Sequence, residues 1–171
     1  MYAYVGLGAN LGDRARTLAQ AVVEMARLGA VLRRSSLYET EPVGPPQPRY
    51  LNAAILVDTP LSPEDLLAGL LRIEAALGRR RPCLRDAPRT LDLDLLLLGE
   101  DGSLVFRSSD LVVPHPRLHQ RAFALRPLLD LEPALVHPVL GSPLERLYRL
   151  RLAIEQAPRP AGPWPAALEP S

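Results

Sequence analysis

The chain has 171 residues, room for one ordinary domain and too few for two. Its 47% hydrophobic and 23% charged residues give the balance of a folded globular protein and exclude wholesale disorder. A formal charge of +1 sets up no field that would draw nucleic acid or an acidic membrane, and a single cysteine, Cys83, excludes an internal disulfide framework and fits a reducing compartment.

All 20 basic side chains are arginine. Without lysine there is no Walker-type phosphate loop and no Schiff-base chemistry. Met1-Tyr2-Ala3-Tyr4-Val5 lacks the basic stretch of a signal peptide, and the longest aliphatic tract, around Leu93 to Leu98, falls far short of the roughly 20 residues of a membrane helix. The expectation is a cytoplasmic, single-domain protein over residues 1–156, followed by a loosely ordered Pro/Ala-rich tail, 157–171.

In chain order, Tyr2 to Gly8 reads as a buried strand. Gly6-Leu7-Gly8-Ala9-Asn10-Leu11-Gly12 is not spaced as G-x-G-x-x-G and reads as a tight strand-to-helix turn. Leu18, Val22, Met25 and Leu28 recur at helical spacing from Asp13, the cap, to Gly29, the stop. Ala30 to Tyr38 reads as a second strand, and the proline-rich stretch Glu41 to Pro48 as a loop, because proline lacks the backbone donor. Tyr50 to Asp58 is strand. Ser62-Pro63-Glu64 opens a helix that carries Leu66, Leu67, Leu70, Ile73 and Leu77 on one face and stops at Gly78. Arg79 to Arg89 is irregular and basic, Thr90 to Leu98 is strand, and Leu104 to Phe106 is a short return strand. Helices are expected from about Gln120 to Leu129 and from Pro143 to about Gln156. The order strand, helix, strand, strand, helix, strand is the split βαβ pattern of ferredoxin-like α+β folds, a mainly antiparallel sheet with helices on one face and the other face free as a platform.

The strongest chemical signal is Arg89-Thr90-Leu91-Asp92-Leu93-Asp94-Leu95. On a strand Asp92 and Asp94 share a face, about 6.6 Å apart at a rise of ~3.3 Å per residue, with the leucines pointing the other way. Hard oxygen ligands so placed suit magnesium that shares its other positions with phosphate and water, and two such ions can clamp a phosphoryl transfer. Arg79, Arg80, Arg81, Arg85 and Arg89 crowd ahead of this pair, and guanidinium forks suit phosphate oxygens. His115 is held between Pro114 and Pro116, with Arg121 near a helix start. Tyr50 and Phe123 are planar rings suited to a planar ligand, and Asn52 can read a heterocycle edge with both a donor and an acceptor. A nucleic-acid module is the rival of the same fold class. It predicts exposed aromatics on the central strands, where this chain carries carboxylates.

Taken together, Gly6 to Asp13, Tyr38 to Gly44, Tyr50 to Ala54, Arg72-Ile73-Glu74, Arg85 to Leu95 and Val113 to Phe123 resemble, in order, the 6-hydroxymethyl-7,8-dihydropterin pyrophosphokinase family of the folate pathway. The resemblance implies transfer of pyrophosphate from ATP to the pterin's hydroxymethyl oxygen, with release of AMP. By the same resemblance Asp92 and Asp94 hold two magnesium ions, while Arg79, Arg89 and Asp94 act in catalysis. Arg81, Arg85, Arg89, His115 and Arg121 bind the nucleotide with Glu74 nearby, and Leu95 and Leu111 line the adenosine site. The pterin lies between Tyr50 and Phe123, its edge bonded by Asn52 and by the backbone of Thr40, Pro42 and Val43. Arg79 and Arg89 belong to a loop that closes over the phosphates. The position after Arg85 holds Asp86 where some relatives carry an aromatic, so the closed loop lacks that apolar cover. The implied partners are the two small substrates alone, with no nucleic acid or membrane, and the implied state is a monomer.

Overall fold

The computed structural model describes residues 1–78 and 91–166. Along the chain run β1 (Tyr2–Ala9), α1 (Arg14–Met25), β2 (Ala30–Arg34), β3 (Tyr38–Thr40), β4 (Tyr50–Asp58), α2 (Pro63–Leu77) and β5 (Asp92–Leu98). There follow β6 (Phe106–Arg107), β7 (Val112–Val113), a 3-10 turn (Leu118–Gln120), α3 (Ala122–Leu131), α4 (Leu144–Leu152) and β8 (Arg159–Pro160). The main sheet is antiparallel, ordered β5-β1-β4-β3-β8, with β2 also paired to β4. This is the ferredoxin-like α+β fold.

The helix signals act as expected. Asp13 Oδ1 accepts the Arg16 N–H at 3.2 Å to start α1, and Ser62 Oγ accepts the Asp65 N–H at 3.1 Å to start α2, with Pro63 inside the first turn. Period-two alternation on β1 and β4 sends Ala3, Val5, Leu7, Leu51, Ile55 and Val57 to one face. There they meet Leu18, Met25, Leu66 and Leu70 of α1 and α2 in the first core. Each fully buried leucine is worth about 1.5–3 kcal/mol against exposure.

Several expectations need correcting. The stretch read as one strand from Ala30 to Tyr38 is two, because Ser35 interrupts it. The Ser35 hydroxyl oxygen accepts the Ala54 N–H at 2.9 Å, substituting a side chain for the ladder and turning the backbone between β2 and β3. Gly6 and Gly8 lie within β1; the turn begins only at Asn10. The return strand falls later: Leu104 makes a single bridge to Leu98, and β6 pairs with β7. The last two helices span 122–131 and 144–152 rather than 120–129 and 143–156.

The second sheet face is not free along its whole length. Tyr4, Leu56, Leu96 and Leu97 meet Leu125, Leu128, Leu144 and Leu147 there in a second core under α3 and α4. A bulge allows it: Val5 pairs with Leu95 and Tyr4 with Leu97, so Leu96 is an extra residue and both Leu96 and Leu97 serve this face. Of the segment read as a loose tail, residues 159–164 dock, while 167–171 lie outside the described residues. β8 pairs with β3, and Trp164 Nε1–H donates to Ser35 O at 2.7 Å.

Candidate active site

What α3 and α4 leave uncovered is the other end of the second face, where β1 carries glycine. Gly8 sits between Asn52 of β4 and Asp92 of β5, and Gly6 between Ala54 and Asp94. Two rows of side chains therefore flank a floor without any. A cavity of about 350 Å³ stands on that floor. One wall comes from Thr40, Val43, Gln47, Tyr50 and Asn52, the other from Asp92, Asp94, His115, Arg121 and Phe123.

On the first wall Asn52, only 5% exposed, donates from Nδ2 to Thr40 Oγ1 at 2.5 Å, which fixes its amide across the β3–β4 pair. Asn10, at the end of β1, donates from Nδ2 to Gln47 Oε1 at 2.9 Å and to Pro48 O at 3.4 Å, tying the proline-rich loop to the sheet. Glu39 and Glu41 hold the same loop through Arg49, at 3.3 and 2.9 Å. The Arg14 and Arg49 guanidinium groups keep the Glu39 carboxyl below the ordinary carboxylate range.

On the second wall both aspartates are half-buried, while Leu93 and Leu95 turn into the first core, as the alternation requires. Arg121 Nη1 stands 3.8 Å from Asp94 Oδ2, and its guanidinium lies 5.4 Å from the centre of the Phe123 ring. His115 is placed by the edge of β5, its backbone N–H donating to Leu96 O at 3.0 Å. Its Nδ1 accepts the Arg117 N–H at 3.1 Å, so in the neutral ring Nε2 carries the proton. Burial, then the cations Arg121 and Arg117, push its pKa from an ordinary 6.5 down to about 4, with Asp92 opposing them. His115 is thus a neutral hydrogen-bond donor at physiological pH.

Behind this wall lies a second cavity of about 320 Å³, bounded by Leu67, Leu95, Leu111 and Val112 and shared at its mouth by Asp94 and His115. Its leucines and Val112 suit a flat base, Ser109 and Asp110 add polar groups, and Asp94 joins it to the first cavity.

Most of the candidate residues named from sequence are thus brought together on two adjoining cavities. Pro42 borders neither, and Glu74 is 3% exposed on α2 and borders neither. Arg79, Arg81, Arg85 and Arg89 lie outside the described residues. Sequence reasoning missed Gly6 and Gly8 as the floor, although their spacing of two on a strand puts both on one face, and it missed Gln47 and Arg117, which also border the first cavity. Two carboxylates with no third His, Cys, Asp or Glu grouped to them, among the described residues, make an oxygen donor set that suits a magnesium ion completed by phosphate and water.

The family model of 7,8-dihydro-6-hydroxymethylpterin-pyrophosphokinase matches residues 4–133. The chain is 43% identical over 132 residues to the 2-amino-4-hydroxy-6-hydroxymethyldihydropteridine pyrophosphokinase of Bacillus subtilis, covering 75% of this chain and 77% of that protein. It is 42% identical over 140 residues to a folic acid synthesis protein of Pneumocystis carinii, covering 81% of this chain but only 18% of that much longer protein. Among solved structures, an HPPK-DHPS triple mutant of Plasmodium falciparum superposes with a TM-score of 0.71 at 16% identity, over 89% of this chain and 44% of that one. Among the described residues no helix is long and apolar enough to cross a membrane.

Proposed function

The chain belongs to the 7,8-dihydro-6-hydroxymethylpterin-pyrophosphokinase family, and from that premise we propose that it transfers pyrophosphate from ATP to the hydroxymethyl oxygen of 6-hydroxymethyl-7,8-dihydropterin, a step of folate biosynthesis. The observation that carries this reading is the pair of rows across the glycine floor, an amide that reads a heterocycle edge on one side and two carboxylates on the other, within one cavity.

The pterin lies on Gly6 and Gly8 with Tyr50 and Phe123 against its faces. Asn52 and the backbone near Thr40, Pro42 and Val43 bond its edge. Adenosine occupies the second cavity against Leu95 and Leu111, and its phosphates run through the shared mouth past His115 and Arg121. Asp92 and Asp94 would hold magnesium, two ions on this reading, which would supply charge neutralisation for the phosphates. His115 donates from Nε2 to a phosphate oxygen, and Arg121 leaves Asp94 to do the same. The pterin oxygen forms a bond to the β-phosphorus as the bond from that phosphorus to the α-bridging oxygen breaks. AMP departs with the bridging oxygen, and its phosphate takes up the hydroxyl proton, because carboxylates that hold a cation are poor bases. Positioning and charge do most of the work in such a transfer. Arg79, Arg81, Arg85 and Arg89, outside the described residues, would add cations for the phosphates, as the family resemblance implies. The family resemblance implies a monomer as the working unit, and the lone thiol supports a cytoplasmic setting.

Calorimetry with a non-hydrolysable ATP analogue, with and without magnesium and then with the pterin, tests this. Magnesium-dependent analogue binding followed by pterin binding is expected. Single-stranded RNA binding without nucleotide binding would reject it.

A further inference from the structure

β3 is three residues long, yet it carries Thr40, the partner of Asn52, and leads into the loop that borders the pterin cavity. β4 holds it on its inner side, with Tyr38 opposite Asn52 and Thr40 opposite Tyr50. Tyr38 Oη donates to Asp130 Oδ2 at 2.7 Å and Glu39 pairs with Arg14 and Arg49, but in the ladder a strand this short, paired with β4 alone, would have a weakly specified register. On its outer side lies the segment 158–164, which belongs to the stretch beyond the family match at residues 4–133.

That segment grips the approach to β3 at successive points. Trp164 Nε1–H donates to Ser35 O at 2.7 Å, the Ala161 N–H donates to Leu37 O at 2.9 Å, and β8 sets Pro160 against Tyr38 and Arg159 against Glu39. The Trp164 ring packs on the first core with the Arg34 guanidinium 5.1 Å above it. Arg159 also reaches Glu41, the first residue of the loop, at 3.8 Å, a contact too exposed to carry much energy by itself. The backbone and indole contacts are the stronger ones, and they fix where Thr40, and through it the Asn52 amide, stand above Gly8.

We propose that the segment 158–164 is a brace for the pterin side of the cavity, with Trp164 and Ala161 as positioning residues that set pterin affinity and leave the nucleotide side alone. The nucleotide side is built on β5 and the 113–121 segment, at the opposite edge of the sheet. The inference rests on the pterin reading of the first cavity.

The test uses the full chain with Ala161→Pro, which removes one N–H donor, and Trp164→Phe, which keeps a ring and removes the indole donor. Calorimetry reads pterin binding in the presence of the magnesium–ATP analogue, and analogue binding alone. Each variant is expected to weaken pterin binding about fivefold, the worth of one lost hydrogen bond, and to leave analogue binding within about twofold. Equal losses for both ligands, or no loss for either, would overturn the brace. Should Ala161→Pro unfold the chain, Trp164→Phe decides alone. A wild type that takes the analogue but no pterin would bring down the pterin reading and the brace together; unshifted variants of a pterin-binding wild type would bring down the brace only.

Discussion

Gly8 of β1 lies directly opposite Asn52 of β4, and a Cβ built on Gly8 would stand 2.8 Å from Asn52 Oδ1. The glycine therefore keeps open the position of the amide oxygen that faces the cavity. Because Asn52 is already held by Thr40, it has no low-cost rotation away from an added methyl. Gly8→Ala is expected to keep the fold and to weaken pterin binding by about fivefold to a hundredfold, from the ~1–3 kcal/mol typical of overpacking. Titration of pterin into the variant checks this, and an affinity equal to wild type would show that the Asn52 amide is not the group that reads the pterin. Gly6→Ala meets Leu96 Cδ1 at 3.0 Å, a softer contact, and should cost less.

Asp94 borders both cavities and faces Arg121, whereas Asp92 borders only the first. Replacing Asp94 with Asn keeps the shape and removes the charge. The transfer should then fall by at least about a hundredfold, since a charge-stabilising group in the site is lost, with the thermal midpoint shifting by only a few degrees for a partly exposed position. Asp92→Ala should lose less. Steady-state rates beside a melting curve separate these outcomes; near-wild-type turnover in Asp94→Asn would remove the role of the carboxylate pair.

How much of this was legible in the sequence depends on which physical signal each residue leaves. Asp92 and Asp94 were legible because a strand's period of two leaves no choice about their shared face. The α1 and α2 caps were legible because Asp13 and Ser62 act on backbone within three residues of themselves. Gly6 and Gly8 were placed on the first strand, but the turn was drawn from Gly6 and their role as a floor went unread, because glycine has no side chain to show alternation and the role is set by what stands across from them on β4 and β5. The break at Ser35 depends on a hydroxyl meeting Ala54, 19 residues away, and the docking of Trp164 on Ser35 spans 129 residues. Local pattern contains no record of either. The second core was hidden because the bulge at Leu96 breaks the alternation that would assign Leu96 and Leu97 to a face.

The start of α3 supplies a third prediction. Arg121 stands at its N-cap without capping it; the Ala122 N–H donates instead to Glu155 Oε1 at 3.0 Å, from the far side of α4. A carboxylate at a helix N-terminus satisfies an orphan donor and meets the positive end of the dipole. Glu155→Ala should cost about 1 kcal/mol of stability. It should also weaken both substrates, since Arg121 and Phe123 ride on this turn. Glu155→Gln keeps an acceptor and should recover part of the loss in chemical denaturation. Equal losses for Ala and Gln would mean that the charge, through Arg151, matters and the cap does not.

His115 gives the pH dependence. In the unfolded chain it takes a proton near pH 6.5, whereas in the folded chain burial, Arg121 and Arg117 hold proton uptake down to about 4. Between those values the unfolded state binds more protons than the folded one, so acid favours unfolding. The contribution is fully present above pH 6.5, is lost as pH falls toward 4, and changes no further below that. His137, lowered by burial and by His119, adds a slope of the same sign, so the wild-type curve alone does not isolate His115. The difference between wild type and His115→Gln does, because Gln cannot titrate. Denaturation measured from pH 7.5 to 4 should show a shallower fall in stability for His115→Gln than for wild type between 6.5 and 4, and parallel curves above 6.5. Curves parallel throughout would mean that the folded chain protonates His115 as readily as the unfolded one, and that burial and the two arginines do not hold its proton uptake down.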